Sequence, residues 1–196
     1  MDKKTLKRLI DVAAGRVPAD LVLKNVQVID VYQAEIMQGD VAIVDGRIAG
    51  INGAYEGKET VDLKGKFVAP GFIDPHIHVE SSYVTPEEFG RLLVPHGTTT
   101  VLADPHEIVN VLGLQGLDYM VEAAKETALD IRYMMPSCVP ATNMENAGAV
   151  VEAADMIPAF EKNQVDGLAE FMNFPGVINA QDEVLDLSLI HISEPT

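Results

Sequence analysis

At Pro70 the hydrophobic period of the chain changes, and this change constrains the fold more than any other feature. Before it, β-branched runs at residues 21–31, 40–44, 47–51, 60–63 and 67–69 are separated by the turn signals Asp45-Gly46, Asn52-Gly53 and Lys64-Gly65. Asp45-Gly46 between two apolar runs predicts a type I′ hairpin, whose centre needs positive φ. Ahead of these runs, residues 6–14 read as a short amphipathic helix with Leu6, Leu9, Ile10 and Ala13 on one stripe, ended by Gly15 and Pro18. After Pro70 the pattern becomes strand, loop, helix, repeated. Strands are expected at residues 68–73, 98–103, 131–135 and 165–171. Helices are expected near Thr85, where Thr85-Pro86-Glu87-Glu88 offers a cap, a first-turn proline and a capping-box glutamate, at residues 113–127, and from about Asn146 with a break at Pro158. Such alternation predicts a parallel sheet with right-handed crossovers.

The strand after Pro70 carries the chemistry. It runs Gly71-Phe72-Ile73-Asp74-Pro75-His76-Ile77-His78-Val79-Glu80-Ser81-Ser82. On an extended strand, residues two apart share a face, so His76 and His78 can converge on one cation while Ile77 packs behind them. Glu80 continues the alternation, and the flanking Val68, Phe72 and Ile73 read as a buried strand. Neutral imidazole suits zinc, iron, manganese-like and nickel ions. Catalytic groups of parallel barrels sit at the carboxyl ends of strands. At such ends this chain places His76 and His78, then Asp104, His106 and Glu107, then Ser137 and Cys138, then Glu170. An unpaired Glu170 after the apolar residues 165–169 would carry a large desolvation cost that a cation removes.

These residues resemble the opening of the amidohydrolase superfamily, whose barrel begins with a Pro-Gly-Phe-Ile-Asp-x-His-x-His strand. The extension through Glu80 and Ser82, with Ala103-Asp104-Pro105-His106-Glu107 and Leu168-Ala169-Glu170-Phe171-Met172-Asn173, is similar to the bacterial adenine deaminase branch. The resemblance runs from about Leu6 to about Asp186. It implies an α/β fold: the first half of a (β/α)8 metal-dependent hydrolase barrel at residues 70–186, preceded by a helix and part of a small β-sandwich domain at residues 1–69. It implies hydrolytic deamination of a purine, adenine to hypoxanthine and ammonia, by water activated at two divalent metal ions, manganese or iron before zinc. His76, His78 and Glu170 would be metal ligands, with Glu170 bridging. Glu80, His106 and Glu107 would be catalytic, and Ser82 and Asp104 would contact substrate. For Asp104 and Glu107 the residues leave a second role open, as acceptors that fix a histidine tautomer, and His106 could equally orient substrate. The Asp104–Glu107 run also reads as an Asx-type turn with a helix cap. The family adds two histidines and an aspartate from later strands that these residues do not include. A barrel needs roughly 250 residues, so the 196-residue chain is expected to be inactive alone. Two alternatives share these features: an amidohydrolase acting on a cyclic amide or another aryl amine, and a non-catalytic assembly relative.

Composition narrows the partners. A formal net charge of −16 with 14 basic residues and no basic run disfavours nucleic acid, which is bound through Lys and Arg. No apolar run approaches the roughly 20 residues of a membrane span, and no signal peptide is evident, so a cytoplasmic enzyme with a small-molecule purine substrate is expected. A homo-oligomer stays open for the full-length parent. Cys138 is the lone cysteine, and its context reads as a small buried thiol at a strand end rather than a nucleophile. His96, between Pro95 and Gly97, reads as a surface residue at a helix end. Residues 187–196 break the pattern and resemble a translated sequencing adapter, so they are expected to be a non-native tail and His191 is kept out of any site.

Overall fold

The computed structural model describes residues 1–162 and 164–193, the side chains of 188–193 excepted. It divides into two compact units, the first spanning Met1–Pro70 and the second beginning at Gly71.

The first unit opens with helix α1 (Lys3–Ala13), capped by Asp2, whose side chain accepts from the Thr5 N–H at 2.7 Å. Five strands follow: β1 (Ala19–Asp30), β2 (Glu35–Val44), β3 (Arg47–Gly53), β4 (Gly57–Asp62) and β5 (Phe67–Val68). They form one sheet in the order β3-β2-β1-β4, with β5 on the second half of β1. Within this unit the described strands make only this one sheet, so the expected part of a β-sandwich is represented by a single layer. A bulge between Leu23 and Val26, where Asn25 has φ 53°, lets one long strand serve two partners: residues 19–24 pair with β4 and residues 27–28 with β5, both in parallel. The Asp45–Gly46 turn has φ of 50° and 69°, the double positive sign a type I′ hairpin needs. β2 begins at Glu35 rather than at residue 40, because residues 35–39 pair with the far end of β1.

The buried stripe of α1 differs from the expected one. Val12 is buried and Leu9 packs beside it against Ala19, Val22, Ala42 and Val44, whereas Leu6 and Ile10 are about half exposed. The cause is Arg8, whose guanidinium reaches Asp20 at 2.5 Å and also pairs with Asp45, so the helix turns its 5, 8, 9, 12 face to the sheet.

The second unit repeats strand and helix. Strands β6 (Phe72–Ile77), β7 (Thr98–Ala103) and β8 (Asp130–Tyr133) are parallel and adjacent in that order. Val68 pairs in the first sheet, so the first strand here starts four residues later than expected and carries His76 within it. Residues 166–169 lie along the continuation of β8: the Asp166 N–H donates to the Tyr133 carbonyl at 2.9 Å, Met135 N–H to Gly167 at 2.7 Å, and Ala169 N–H to Met135 at 2.8 Å. This is parallel pairing over a short stretch, with one formal bridge at Met135 and Leu168.

Between the strands lie α2 (Pro86–Leu93), α3 (His106–Leu112), α4 (Leu114–Ala123), α5 (Ala153–Glu161), α6 (Phe174–Ile178) and α7 (Asp182–Ser193). Thr85 precedes α2 in an extended conformation with Pro86 at the first position, but its side chain makes no capping bond. The Gly113 break, with φ 62°, splits the expected 113–127 helix away from a new one that begins at His106. The helix expected from Asn146 begins instead at Ala153, where Glu152 and Asp155 form a reciprocal capping box; Pro158 lies within it without ending it. α7 runs to Ser193 with Leu187 in the core, and the expectation of a foreign tail at 187–196 otherwise falls on residues outside those described in full.

The core sits between the helices and one face of the sheet, with Val79, Phe89, Val101, Ala103, Leu117, Met120, Tyr133, Met135 and Met156 buried together. Each buried Val, Leu, Met or Phe side chain among them contributes roughly 1.5–3 kcal/mol. α2 approaches closely: a Cβ on Gly90 would lie 1.8 Å from Thr127 Oγ1. On β6, Phe72 and Ile73 are 68% and 64% exposed, contrary to the buried strand expected. β6 is an edge of the described sheet, so residues at its start have one strand neighbour and no covering layer.

Candidate metal centre

Register brings the chemically distinctive side chains to one end of the second sheet. Ile77 pairs with Ala103 and Ala103 with Tyr133, and the Asp104 N–H donates to the Ile77 carbonyl at 2.9 Å. Residues just beyond these pairs therefore emerge side by side. His76, His78, Asp104 and Glu170 each offer one donor atom, and these atoms lie within 4.8 Å of one another. The His76 and His78 rings are 5.1 Å apart, although a register shift between Asp74 and Ile77 interrupts the regular alternation.

Glu170 is the hub. Its Oε1 lies 3.6 Å from His76 Nε2 and 3.4 Å from His78 Nε2. His78 Nδ1 lies 2.9 Å from the backbone carbonyl of Asp104. A carbonyl can only accept, so Nδ1 carries the proton and the Nε2 lone pair faces Glu170. In the neutral ring that lone pair and the carboxylate, aimed at one point, repel until a proton or a metal cation sits between them. Asp104 adds a second carboxylate: its side chain is 2% exposed and Oδ1 is buried with no hydrogen-bond partner. An orphaned buried carboxylate oxygen beside imidazole nitrogens fits a divalent cation, and the nitrogen and oxygen donor set suits zinc, iron or manganese alike.

A second trio, His78, His106 and Glu107, also gathers its donors within 4.8 Å. There the His78 Nδ1 is already committed to the Asp104 carbonyl, which leaves His106 and Glu107 for other work. His106 Nδ1 lies 3.1 Å from Asp104 Oδ2, and this hydrogen bond holds the imidazole above its ordinary pKa. Its Nε2 faces Glu107 Oε2 at 3.8 Å. Ser81 donates its hydroxyl to Glu107 Oε1 at 3.2 Å, while Oε2 is buried without a hydrogen-bond partner.

The remaining expected residues stand apart from the donor cluster. Past Ile77 the chain leaves the strand and enters a 3-10 turn at Glu80–Ser82, so Glu80 does not continue the strand alternation. Its Oε1 instead accepts from the Ile108 N–H at 3.3 Å, and burial pushes this carboxyl above its ordinary range. Ser82 turns its hydroxyl onto the Val79 carbonyl at 2.5 Å and so closes the turn. Cys138 is a buried thiol beside Ser137, and His96 is exposed at the end of a helical turn. Sequence reasoning missed Ser81 and missed Asp104 as a donor to the cluster. The Asp-Pro pair at a strand end was the available signal for Asp104; nothing in the sequence marked Ser81.

A cleft of about 310 Å³ opens beside the cluster, lined by His76, Asp104 and Glu170 together with Leu102, Met134 and Leu168. Apolar and charged side chains line it together, as in small-molecule sites.

Comparison with known proteins places the chain in a family. Residues 67–189 match the amidohydrolase family, and the chain belongs to that family. It is 64% identical over 186 residues to an adenine deaminase of Ligilactobacillus salivarius, which covers 95% of this chain and 32% of that protein. It is 60% identical to adenine deaminase 2 of Desulfotalea psychrophila, over 97% of this chain and 33% of that one. The chain thus spans about a third of the length of the curated relatives it matches. In fold it is similar to an N-acyl-D-glutamate deacylase from Bordetella bronchiseptica, solved with zinc and a phosphonate inhibitor, with a TM-score of 0.52 and 21% identity over 87% of this chain and 42% of that one.

Proposed function

We propose that this sequence is the amino-terminal part of an adenine deaminase, which hydrolyses adenine to hypoxanthine and ammonia. The observation that carries the reading is the meeting of His76, His78, Asp104 and Glu170 donors within 4.8 Å at the strand ends, in a chain 64% identical to an adenine deaminase. In this reading β6, β7, β8 and residues 166–169 are the first four strands of an eight-stranded barrel, and the first unit is part of a β-sandwich. Later strands would add the missing ligands, so the 196 residues alone would not turn over substrate.

His76 and His78 through Nε2, with Asp104 and Glu170, would hold one or two divalent cations, manganese or iron before zinc. Cations bound there supply the positive charge that makes water acidic near neutral pH and offsets charge in the tetrahedral transition state. The chain's own residues handle binding and protons. Asp104 orients His106 through Nδ1, so that Nε2 stands free to take a proton and return it to the departing ammonia. Glu107, steadied by Ser81, faces that Nε2 from 3.8 Å, beyond hydrogen-bond reach, and its charge favours the imidazolium once the proton has been taken. Ser82 closes the turn between β6 and α2, and Glu80, accepting from the Ile108 N–H, ties that turn to the helix that carries His106 and Glu107. The apolar lining at Leu102, Met134 and Leu168 suits a flat purine. A net charge of −16 argues against a nucleic-acid substrate, and no described helix is long and apolar enough to cross a membrane. We place the enzyme in the cytoplasm, in purine metabolism.

The test is ammonia release by the full-length protein, loaded with manganese, from adenine, adenosine and cytosine. Turnover of adenine with at least about 100-fold preference in kcat/KM over the other two is expected, since a site that pairs with a substrate's polar edge rejects analogues strongly. Equal or greater turnover of cytosine, or activity on a cyclic amide alone, would contradict the proposal.

A further inference from the structure

We infer that Ser137 is a positioning residue for the Glu170 carboxylate, which it holds through the Glu170 backbone carbonyl. The inference rests on the reading of Glu170 as a metal ligand and adds what fixes it. Pairing of residues 166–169 with the β8 extension stops at Ala169, whose N–H donates to the Met135 carbonyl at 2.8 Å. Local support resumes at Met172, whose carbonyl accepts from the Phe174 N–H at 2.9 Å, and at Asn173, whose side chain accepts from the Gly176 N–H at 3.0 Å and caps α6. Glu170 lies in the unsupported interval between them.

In that interval the Ser137 hydroxyl donates to the Glu170 carbonyl at 2.6 Å. Among the described residues no other hydrogen bond reaches the Glu170 backbone. Ser137 is 3% exposed, so water does not compete for the contact. Its other near neighbour is Cys138 Sγ at 3.3 Å, a weak partner that leaves the carbonyl as the one strong acceptor. Ser137 is itself fixed, because Met135 two residues before it is bonded on both sides by Gly167 and Ala169. The hydroxyl therefore extends the parallel ladder by one side-chain rung. It sets the peptide plane at Glu170, and with it the direction of the side chain that both imidazoles face. Ligands hold a metal well only when kept within about 0.5 Å of their productive positions. A free peptide plane at this point would spread the carboxylate over a wider range.

The probe is Co²⁺ alone, titrated into the chain and its variants by calorimetry and by visible ligand-field absorption, with near-UV circular dichroism recorded for each. Ser137→Ala should weaken Co²⁺ binding about ten-fold and alter the ligand-field bands, while the dichroism stays unchanged. Ser137→Cys keeps the volume without a strong donor and should behave as Ser137→Ala; should the alanine variant fail to fold, it carries the test. Ser137→Thr keeps the hydroxyl and should bind within about two-fold of the unaltered chain. Glu170→Gln separates the two levels. If it binds Co²⁺ as the unaltered chain does, the ligand reading fails and the inference with it. If it loses Co²⁺ while Ser137→Ala and Ser137→Cys keep the original affinity and bands, the inference alone is overturned.

Discussion

A single backbone oxygen chooses between two ligand sets in this chain. The Asp104 carbonyl accepts from His78 Nδ1 at 2.9 Å, and the imidazole then turns its lone pair toward Glu170 rather than toward Glu107. The His-x-His spacing pointed to His76 and His78 together, but the shared face of a regular strand is not the whole cause, since β6 ends at Ile77 and its register shifts between Asp74 and Ile77. The tautomer was not legible, since it depends on an atom 26 positions further along the chain. The same holds for Asp104, whose buried Oδ1 is seen to lack a partner only once the strands are in register. In the full-length protein, His76→Ala should lower bound metal at least about 100-fold in affinity, because no neighbour replaces a missing ligand. His96→Ala should leave it unchanged. Metal content after dialysis, measured by plasma mass spectrometry, distinguishes them, and equal metal in both variants would remove His76 from the site.

Elements were read well where a local rule sets them and poorly where a distant contact does. The Asp45–Gly46 hairpin followed from φ alone. The face of α1 did not, because Arg8 finds Asp20 and Asp45 across the first unit and rotates the helix toward them. The start of α3 at His106 was hidden by Pro105, which as a neighbour of Asp104 read equally as a turn. The α1 clamp also gives a pH signature. The hydrogen bond from Lys58, and after it that from the Asp45 N–H, hold the Asp20 carboxyl down to about 2, below its ordinary 3.8. A depressed carboxylate stabilises the fold above its unfolded pKa and loses that contribution as pH falls through the folded one. Melting temperature should therefore fall between about pH 4 and pH 2 more steeply in the original chain than in Asp20→Asn, and the difference should shrink in high salt. Identical acid profiles for the two would show that the Asp20 carboxylate, with Lys58 and the Asp45 N–H as its first partners, does not stabilise the first unit.

At the scale of the whole molecule, the chain divides into two compact units at Pro70, where its hydrophobic period changes, and the strands after it that alternate with helices form a parallel sheet. The exposure of Phe72 and Ile73 on β6 was not foreseeable from their side chains, which are those of a buried strand; it follows from the absence of a covering layer among the described residues. Each strand delivers its donors to the same end of that sheet, and the site is a property of this shared register more than of any one motif. The most direct measurement is X-ray absorption at the zinc edge on the chain loaded with one equivalent of Zn²⁺. Two imidazole nitrogens with carboxylate oxygens at about 2.0–2.2 Å are expected, with the imidazole scattering reduced in His78→Ala. A shell of oxygen alone, or imidazole scattering unchanged in His78→Ala, would contradict a cation held by His76, His78, Asp104 and Glu170.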